Sequence, residues 1–430
     1  MDSKIKVALI CHVSNEYIRK NIDLHNHRFK NFIKKIIGRP TFKYKDYSTW
    51  NTILLEEFNS IENIEIHAII PHPGLKHKLQ KFNNNNIYYY FIKEDQKRYE
   101  NNIFNDYKKH RTQINKLIIE IKPDIVHLIG AESPFISLSA LDVETNNLPL
   151  LVSMQTALSD PDFLKMYPII SKEEYDERTK VEQAVLKKAN YIGTDSSWYR
   201  SIAKKYNPTA KFVRYHFCTK FEMNYLNFNI KKEYDFVYFA VNIGKAGEDV
   251  LKIFSIAQKK NPNISLNLIG GYTQKYYQHL NNIIQKENIK NVTFSGYFEK
   301  HQDALQQVLK SKFALVPIKI DIISGTIREA MALGLPVITY ITKGTPSLNK
   351  QKSTVLLSPI GDYKGMAENM IHLINSVDLQ QELIKNSKDF INTYWDTKKN
   401  IEILAKTYRA IYMHHNTGVN LPIAISEAIY

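Results

Sequence analysis

The sequence is short of cysteine. Only Cys11 and Cys218 occur in 430 residues, and they lie far apart along the chain. Two such residues cannot build a disulfide framework, and they lack the close spacing of a metal-binding cysteine motif. This shortage predicts a protein of a reducing compartment, the cytoplasm.

Long hydrophobic runs are also missing. No stretch of about eighteen apolar residues occurs, so the sequence offers no candidate transmembrane helix. The apolar run over residues 6–11 breaks at His12 and is too short for a signal peptide, so we expect a strand there. Any contact with a membrane should therefore be peripheral.

Acidic residues are outnumbered. The 58 Lys and Arg residues against 43 Asp and Glu residues give a formal net charge of +15. A positive surplus attracts polyanions, which include nucleic acid, anionic membranes and phosphorylated ligands. Charge alone does not choose among these partners.

The length and the hydrophobic pattern predict two α/β domains. A chain of 430 residues, 43% of them hydrophobic, exceeds what one core usually supports. Short apolar runs alternate with stretches of helical period, which favours parallel sheets flanked by helices. The predicted strands cover residues 6–11, 64–70, 87–92, 125–130, 150–155 and 191–194, and then 236–241, 265–271, 292–296, 313–318, 336–340 and 354–359.

The strand series begins again after residue 235, so we place the domains at 1–218 and 219–397. Residues 398–430 are expected to form a C-terminal helix and tail that pack back on the first domain. Both domains should be doubly wound and Rossmann-like, with ligand crevices at the carboxyl ends of the strands.

The stretch DIISGTIREAMALGLPVITY, residues 321–340, combines two acids with a small-residue turn. We predict a helix over residues 327–333, closed by Gly334. Ser324, Gly325 and Thr326 then lie at its amino end, where free N–H groups and the helix dipole favour an anion. Asp321 before the turn and Glu329 inside the helix can accept hydrogen bonds from the hydroxyls of a sugar or a ribose.

An alternative explains the same residues without a ligand. Ser324 or Thr326 would cap the helix, and Glu329 would be a solvated surface residue. The sequence alone does not decide between the two interpretations.

A second anion-binding loop is predicted in AVNIGKAGEDV, where Gly244 and Lys245 join a strand to a helix. This loop is neither a P-loop nor a dinucleotide-binding fingerprint. The alternative is a plain strand-to-helix turn with a solvated lysine. The anion-binding interpretation is favoured because this loop and Ser324 lie at the same strand-end edge in the predicted fold.

The first half offers IVHLIGAESP, with His127 inside a strand and Glu132 just past its end. A single histidine in a strand is more often a hydrogen-bonded core residue than a catalyst. Glu132 lies in the loop and is the better candidate for a contact with substrate.

Taken together, these residues resemble the GT-B glycosyltransferases, specifically glycosyltransferase family 4, the group 1 enzymes. The stretch from Asp321 to Ser347 looks like the family's E-x7-E signature, and KAGEDVLKIF, SLNLIGG, VTFSGYF and LLSPIGD follow the order of its donor domain. In the first half, WNTILLEEF, IEIHAIIPH and PDIVHLIGAESPF are similar to bacterial surface-polysaccharide members.

The resemblance implies two Rossmann-like domains facing a central cleft, with the acceptor bound by the first and a nucleotide sugar by the second. Glu329 would bind the donor ribose and Asp321 the transferred sugar, and either Glu132 or His127 would orient substrate. Lys245 beside Gly244 would bind the diphosphate. Backbone N–H groups of Ser324, Gly325 and Thr326 would bind the sugar phosphate, and Tyr297 and Phe298 would lie near the base.

The sequence departs from the family's pattern in three places. The first acid is Asp321 rather than Glu, one methylene shorter. Val241 and Asn242 stand where many members carry an arginine before the Lys-Gly pair. Ile129 stands where some relatives have a second histidine.

The resemblance further implies retaining transfer from a UDP or GDP sugar to a glycan or lipid-linked acceptor of a bacterial surface polysaccharide. No metal-binding acidic motif is evident, so we expect neither a required metal nor a tightly bound cofactor. The positive surplus would suit an acceptor carried on an anionic membrane. The alternatives are a non-catalytic sugar-nucleotide-binding protein, a glycan phosphorylase of the same fold, and a nucleic-acid binder, for which no recognised module is present.

Overall fold

The computed structural model describes residues 4–37, 44, 46–93, 107–166, 170–219, 225–240, 246–319 and 323–427. The chain divides into two compact units. The first contains Met1–Phe163, Ile170–Lys220 and Thr397–Ile429, and the second contains Leu164–Ile169 and Phe221–Asp396. Each unit is built around one sheet, so the chain is an α/β protein, with two core clusters in the first unit and one in the second.

In the described residues of the first unit, eight strands form a sheet in the order β3-β4-β2-β1-β5-β6-β7-β8. Seven of them are parallel, and β3 alone pairs antiparallel, with β4. The strands are β1 (Ile5–Ile10), β2 (Ile64–His72), β3 (Leu79–Asn84), β4 (Ile87–Lys93), β5 (Ile125–Ile129), β6 (Leu150–Ser153), β7 (Tyr191–Gly193) and β8 (Lys211–Val213).

The central strands are continuous apolar runs because helices cover both faces of the sheet. Every residue of β5 is buried, and Lys6 is the one exposed residue of β1. The helices are α1 (Glu16–Lys20), α2 (Arg28–Ile36), α3 (Thr49–Phe58), α4 (Lys108–Ile121), α5 (Pro134–Ser137), α6 (Phe163–Met166), α7 (Lys172–Lys188), α8 (Ser197–Tyr206), α15 (Thr397–Thr417) and α16 (Ile423–Ser426), with α6 at a boundary between the two units.

The second unit contains a parallel sheet of six described strands in the order β11-β10-β9-β12-β13-β14. The strands are β9 (Tyr234–Tyr238), β10 (Leu266–Ile269), β11 (Val292–Gly296), β12 (Ser311–Val316), β13 (Val337–Tyr340) and β14 (Leu356–Ser358). The helices are α9 (Gly247–Lys260), α10 (Gln274–Lys286), α11 (His301–Val308), α12 (Gly325–Ala332), α13 (Tyr363–Asn375) and α14 (Val377–Tyr394).

Helix α15 returns to the first unit although it follows the whole of the second in sequence. Ile401, Leu404, Tyr408 and Ile411 repeat at three and four residues, so they form one apolar stripe on the helix. All four are buried in the same core cluster as β1, β2 and α3. The first unit is therefore incomplete without the end of the chain.

The twelve predicted strands all occur, with ends shifted by up to three residues. Sequence reasoning missed β3, which is half exposed, and β8, which has three residues. The predicted start of α12 at Ile327 is wrong by two residues, because Ser324 caps the helix and Gly325 is its first residue.

We predict that Tyr408→Phe destabilises the first unit. The Tyr408 hydroxyl lies 2.7 Å from Nδ1 of His127, and both side chains are fully buried. Removing it leaves a buried ring nitrogen without its partner, which costs about 1–3 kcal/mol. Urea denaturation measures the change. Tyr412→Phe, on the same helix but half-buried, should change stability by less than about 0.5 kcal/mol, and equal effects of the two substitutions would contradict the prediction.

Candidate functional site

The strand order of the second sheet brings two loops together. From β9 the chain continues to β10 and β11 on one side and resumes with β12 on the other side of β9. The loops that follow β9 and β12 therefore leave the carboxyl edge side by side, at the switch point where doubly wound sheets bind ligands. Gly244, Lys245 and Asp321 belong to these loops and lie outside the described residues.

A buried carboxylate joins the described ends of these two loops. Asp249, in the first turn of α9, lies 2.7 Å from the amine of Lys319, which follows β12. The hydroxyls of Tyr340 and Tyr363 donate to the same carboxylate at 3.0 and 3.1 Å. The network ties α9, β12, β13 and α13 together at the carboxyl edge, so the loops on either side start from fixed positions.

Sequence reasoning missed Asp249 and Lys319 as a pair. Asp249 is visible as an acid in a helix first turn, a common position, but its three partners come from later segments of the chain. Burial, with the charge of Asp249 second, raises the pKa of Tyr340 well above its ordinary value, so its phenol remains a hydrogen-bond donor at neutral pH.

The amino end of α12 combines a cap with open backbone. The Ser324 hydroxyl accepts a hydrogen bond from the Ile327 N–H at 3.2 Å, as the capping alternative expected. Gly325 is exposed, and apart from its chain neighbours and the backbone of its own helix no described atom lies within 4 Å of the position that a Cβ would take there. Capping and ligand binding are compatible here, because the cap uses the N–H of Ile327 and leaves those of Gly325 and Thr326 at the helix terminus.

Glu329 is not simply a solvated surface residue. Its side chain is 24% exposed, and Oε1 lies 2.9 Å from Nε2 of His301, the first residue of α11. The hydrogen bond to Glu329 raises the pKa of His301 above its ordinary value against the opposing effect of burial. His301 thus holds one carboxylate oxygen of Glu329 and leaves the other available. Sequence reasoning missed His301 because the contact joins two separate helices.

Aromatic side chains follow β10 and β11 at the same edge. Tyr297 is 68% exposed, and its Cδ2 lies 3.4 Å from the position of a Cβ on Gly271. Phe298 is half-buried against the core of this unit. Tyr272 stacks on Tyr277 with ring centres 5.5 Å apart. The edge therefore presents one accessible ring, that of Tyr297, on a base of packed aromatics.

In the first unit, His127 is a core residue. It is fully buried in β5, with Nδ1 2.7 Å from the Tyr408 hydroxyl and Nε2 2.7 Å from the Ser153 hydroxyl. Burial lowers the pKa of His127 to about 3, so the ring is neutral. Because both ring nitrogens are engaged, this geometry matches the core-residue alternative rather than contact with a substrate.

Glu132 lies just past the end of β5 and is 5% exposed. Its Oε2 has no hydrogen-bond partner in the described part of the chain, and burial raises the pKa of its carboxyl group. Nearby Glu182 accepts the N–H groups of Leu158 and Ser159, both at 2.8 Å, and burial raises its pKa to about 7. The edge therefore holds two carboxyl groups that gain protons more readily than usual.

His12 shares this edge and was not proposed from the sequence as a site residue. It follows β1, and its ring centre lies 4.2 Å from that of Tyr47 and 5.1 Å from that of Phe135. Burial lowers the pKa of His12 to about 4, and its Nε2 has no hydrogen-bond partner among the described residues. The switch point of the first sheet lies between β1 and β5, so His12 and Glu132 border the same crevice.

Within the part of the chain that the structure describes, no group of three or more His, Cys, Asp or Glu side chains is placed to hold a metal ion. None of the described helices is long and apolar enough to cross a membrane.

We predict that Glu329→Gln lowers the pKa of His301, because the amide removes the negative partner. In the native protein the His301–Glu329 pair stabilises the fold below about pH 6.5, the ordinary histidine pKa. This stabilisation is lost as the pH rises through the raised pKa of His301. Titration of the His301 ring signals by NMR measures the shift. Glu248→Gln, which removes the carboxylate beside His279, is the control; an unchanged His301 pKa in Glu329→Gln would contradict the assignment.

Comparison with known protein families gives a match within the second unit. Residues 226–390 match the family described as "Glycosyl transferases group 1". This range contains the Asp249 network, the aromatic edge and the whole of α12. A search of the curated proteins found no match to the chain.

Solved structures match nearly the whole chain. Sucrose-phosphate synthase from Thermosynechococcus elongatus has a TM-score of 0.66 at 15% identity, covering 95% of this chain and 99% of that one. A structure described as trehalose-6-phosphate from E. coli bound with UDP-2-fluoro glucose has a TM-score of 0.62 at 8% identity, covering 94% and 99%. HepE from Anabaena in complex with UDP has a TM-score of 0.60 at 12% identity, covering 94% and 100%.

At these identities the likeness to solved structures establishes the fold, while the match of residues 226–390 bears on the activity. The chain therefore has the α/β fold of the GT-B glycosyltransferases, and its residues 226–390 match the glycosyl transferases group 1 family.

Proposed function

We propose that the chain is a retaining glycosyltransferase of family 4. It transfers a sugar from a nucleoside diphosphate sugar, of the UDP or GDP type, to a glycan or lipid-linked acceptor in the synthesis of a bacterial surface polysaccharide. The main support is that the group 1 match includes Glu329, one turn inside a helix whose amino end is open at Gly325. The UDP ligands named for two similar structures favour a uridine nucleotide.

The donor would be bound mainly at the carboxyl edge of the second sheet. Glu329, held by His301, accepts hydrogen bonds from the vicinal hydroxyls of the ribose. The N–H groups at the start of α12, at Ser324, Gly325 and Thr326, bind the sugar phosphate.

The remaining donor contacts come from neighbouring loops. Lys245 beside Gly244 binds the diphosphate, and Asp321 contacts the transferred sugar. Tyr297 and Phe298 lie near the base, and the exposed ring of Tyr297 suits stacking on a planar heterocycle. These roles rest on the resemblance of the sequence to the family.

The reaction we propose forms no covalent intermediate with the enzyme. The acceptor oxygen bonds to the anomeric carbon on the face from which the diphosphate departs, while the bond from that carbon to the diphosphate oxygen breaks. The acceptor proton passes to an oxygen of the leaving phosphate. Lys245 and the α12 amino end stabilise the charge that develops on the diphosphate. No metal is assigned a step.

The acceptor would be positioned by the first unit. Glu132 has an unpartnered oxygen at the carboxyl edge and a raised pKa, which suits a group that hydrogen-bonds a substrate hydroxyl. We assign His127 the lesser role of fixing β5, since its ring nitrogens bond Tyr408 and Ser153. We further place the protein in the cytoplasm, with peripheral contact to anionic lipid at the inner membrane face, on the strength of its +15 charge.

A thermal-shift panel of nucleotides and nucleotide sugars tests the donor site. We expect a uridine or guanosine diphosphate to raise the melting temperature of the native protein. Glu329→Ala should weaken binding about tenfold or more, because hydrogen bonds to a charged group contribute about 1.5–3 kcal/mol. Glu382→Ala, an exposed acid on α14, should bind as the native protein does. If no nucleotide raises the melting temperature, the donor site is refuted.

The stereochemical course tests retention. We expect slow hydrolysis of an α-configured nucleotide sugar, identified by the thermal-shift panel, to release the α-anomer first, because water replaces the acceptor on the same face. Proton NMR resolves the two anomers by their coupling constants before they interconvert. Early release of the β-anomer would refute retention. Nucleotide binding without turnover, either to water or to any glycan acceptor offered, would favour the non-catalytic alternative.

A further inference from the structure

A pocket of about 390 Å³ opens on the surface of the first unit. Its wall includes Tyr191, which begins β7, and Lys211, which begins β8. It therefore lies at the amino edge of the sheet, the edge opposite to His12 and Glu132. Five basic side chains line it: Lys187, Lys188, Lys211, His414 and His415.

The pocket collects positive charge without a counter-charge. No carboxylate lines it, and in the described part of the chain none lies within 4 Å of its three lysine amines. Burial lowers the pKa of His414, and the charges of Lys211 and His415 lower it further. These groups therefore repel one another, and an anion bound among them would relieve the repulsion.

Lysines often end helices simply because they complement the helix dipole. Here other groups already bond the terminal carbonyls. The Asn207 amide donates to the carbonyls of Leu186 and Ala189, both at 2.8 Å, at the end of α7. The Gly418 N–H donates to the carbonyl of His414 at 3.0 Å at the end of α15. The lysine amines remain available to a ligand.

One ring in the pocket is held in place. The Tyr191 hydroxyl lies 2.6 Å from Nδ1 of His414. Burial raises the pKa of Tyr191 to about 12, so the phenol keeps its proton and can donate it to Nδ1. The proton of the neutral imidazole then resides on Nε2, which is a donor for an anion. The pocket thus combines lysine amines with an imidazole donor that Tyr191 holds in place.

We propose that this pocket binds phosphate groups, with Lys187, Lys188 and Lys211 neutralising the anion and His414 donating a hydrogen bond to it. The phosphate can belong to the headgroup of an anionic phospholipid or to a free phosphorylated molecule, since both present the same oxygens. The site is independent of the proposed donor site, because it is built from the first unit alone.

Histidine NMR with inorganic phosphate tests the site in the full-length protein. The ring signals of His414 and His415, assigned from His414→Asn and His415→Asn variants, should move on titration. The dissociation constant should be about 1 mM, as expected for a few screened charge contacts. The His301 signal reports separately on the donor site, so phosphate binding there is distinguished.

The double variant Lys187→Gln/Lys211→Gln should raise the dissociation constant for phosphate, measured from the His414 signal, about tenfold or more. The matched control is Lys259→Gln/Lys286→Gln, which removes the same charge from exposed last-turn lysines of α9 and α10 and should leave it unchanged. Both double variants should keep the nucleotide-induced rise in melting temperature, so failure of this site and failure of the donor site give different results.

Flotation with phosphatidylcholine vesicles, with or without phosphatidylglycerol, identifies the source of the phosphate. Binding to the anionic vesicles that Lys187→Gln/Lys211→Gln loses and the control keeps assigns the pocket to lipid headgroups. A response to inorganic phosphate without such flotation assigns it to free phosphorylated molecules. The proposal is overturned if phosphate leaves the His414 and His415 signals in place and the two double variants float alike.

Discussion

The second unit depends on one buried charge. The Asp249 carboxylate pairs with the Lys319 amine and accepts hydrogen bonds from the hydroxyls of Tyr340 and Tyr363. These four residues come from α9, the segment after β12, the end of β13 and the start of α13. A buried carboxylate is tolerated only when its oxygens are satisfied, so the four segments must meet at one point. That point is the carboxyl edge at the switch in strand order, where the loops after β9 and β12 begin. Loops that start from fixed positions can present backbone donors with little further ordering.

The two edges of the first sheet differ in charge, and this difference separates two kinds of chemistry. At the carboxyl edge, burial favours neutral groups: it raises the pKa of Glu132 and Glu182 and lowers that of His12. Such groups exchange hydrogen bonds with hydroxyls. At the amino edge, Lys187 and Lys211 line an open pocket that suits anions. The positive surplus of the sequence is therefore not spread evenly over this unit.

The sequence predicts the sheets well because parallel strands buried on both faces are continuous apolar runs, such as IVHLI in β5. The same rule explains why the sequence does not predict β3 and β8. Strand β3, LQKFNN, is half exposed and polar, and β8 has only Lys211, Phe212 and Val213, so neither differs from a loop in pattern. The cap at Ser324 is a local feature, and the sequence predicts a cap at Ser324 or Thr326 as one of two alternatives, with the start of the helix two residues late.

Features that need distant partners could not be predicted. His127 reads as a strand histidine of uncertain role until Tyr408, far along the chain, is seen on its Nδ1. From the sequence, Glu329 is either a ligand-binding acid or a solvated surface acid, and the contact with His301 shows that it is not simply solvated. In both cases the partner changes the chemistry of the residue: both ring nitrogens of His127 are bonded, whereas Glu329 is oriented and has one carboxylate oxygen that His301 does not contact. A motif therefore identifies which residues to examine, and the tertiary partner decides which of them can bind a ligand.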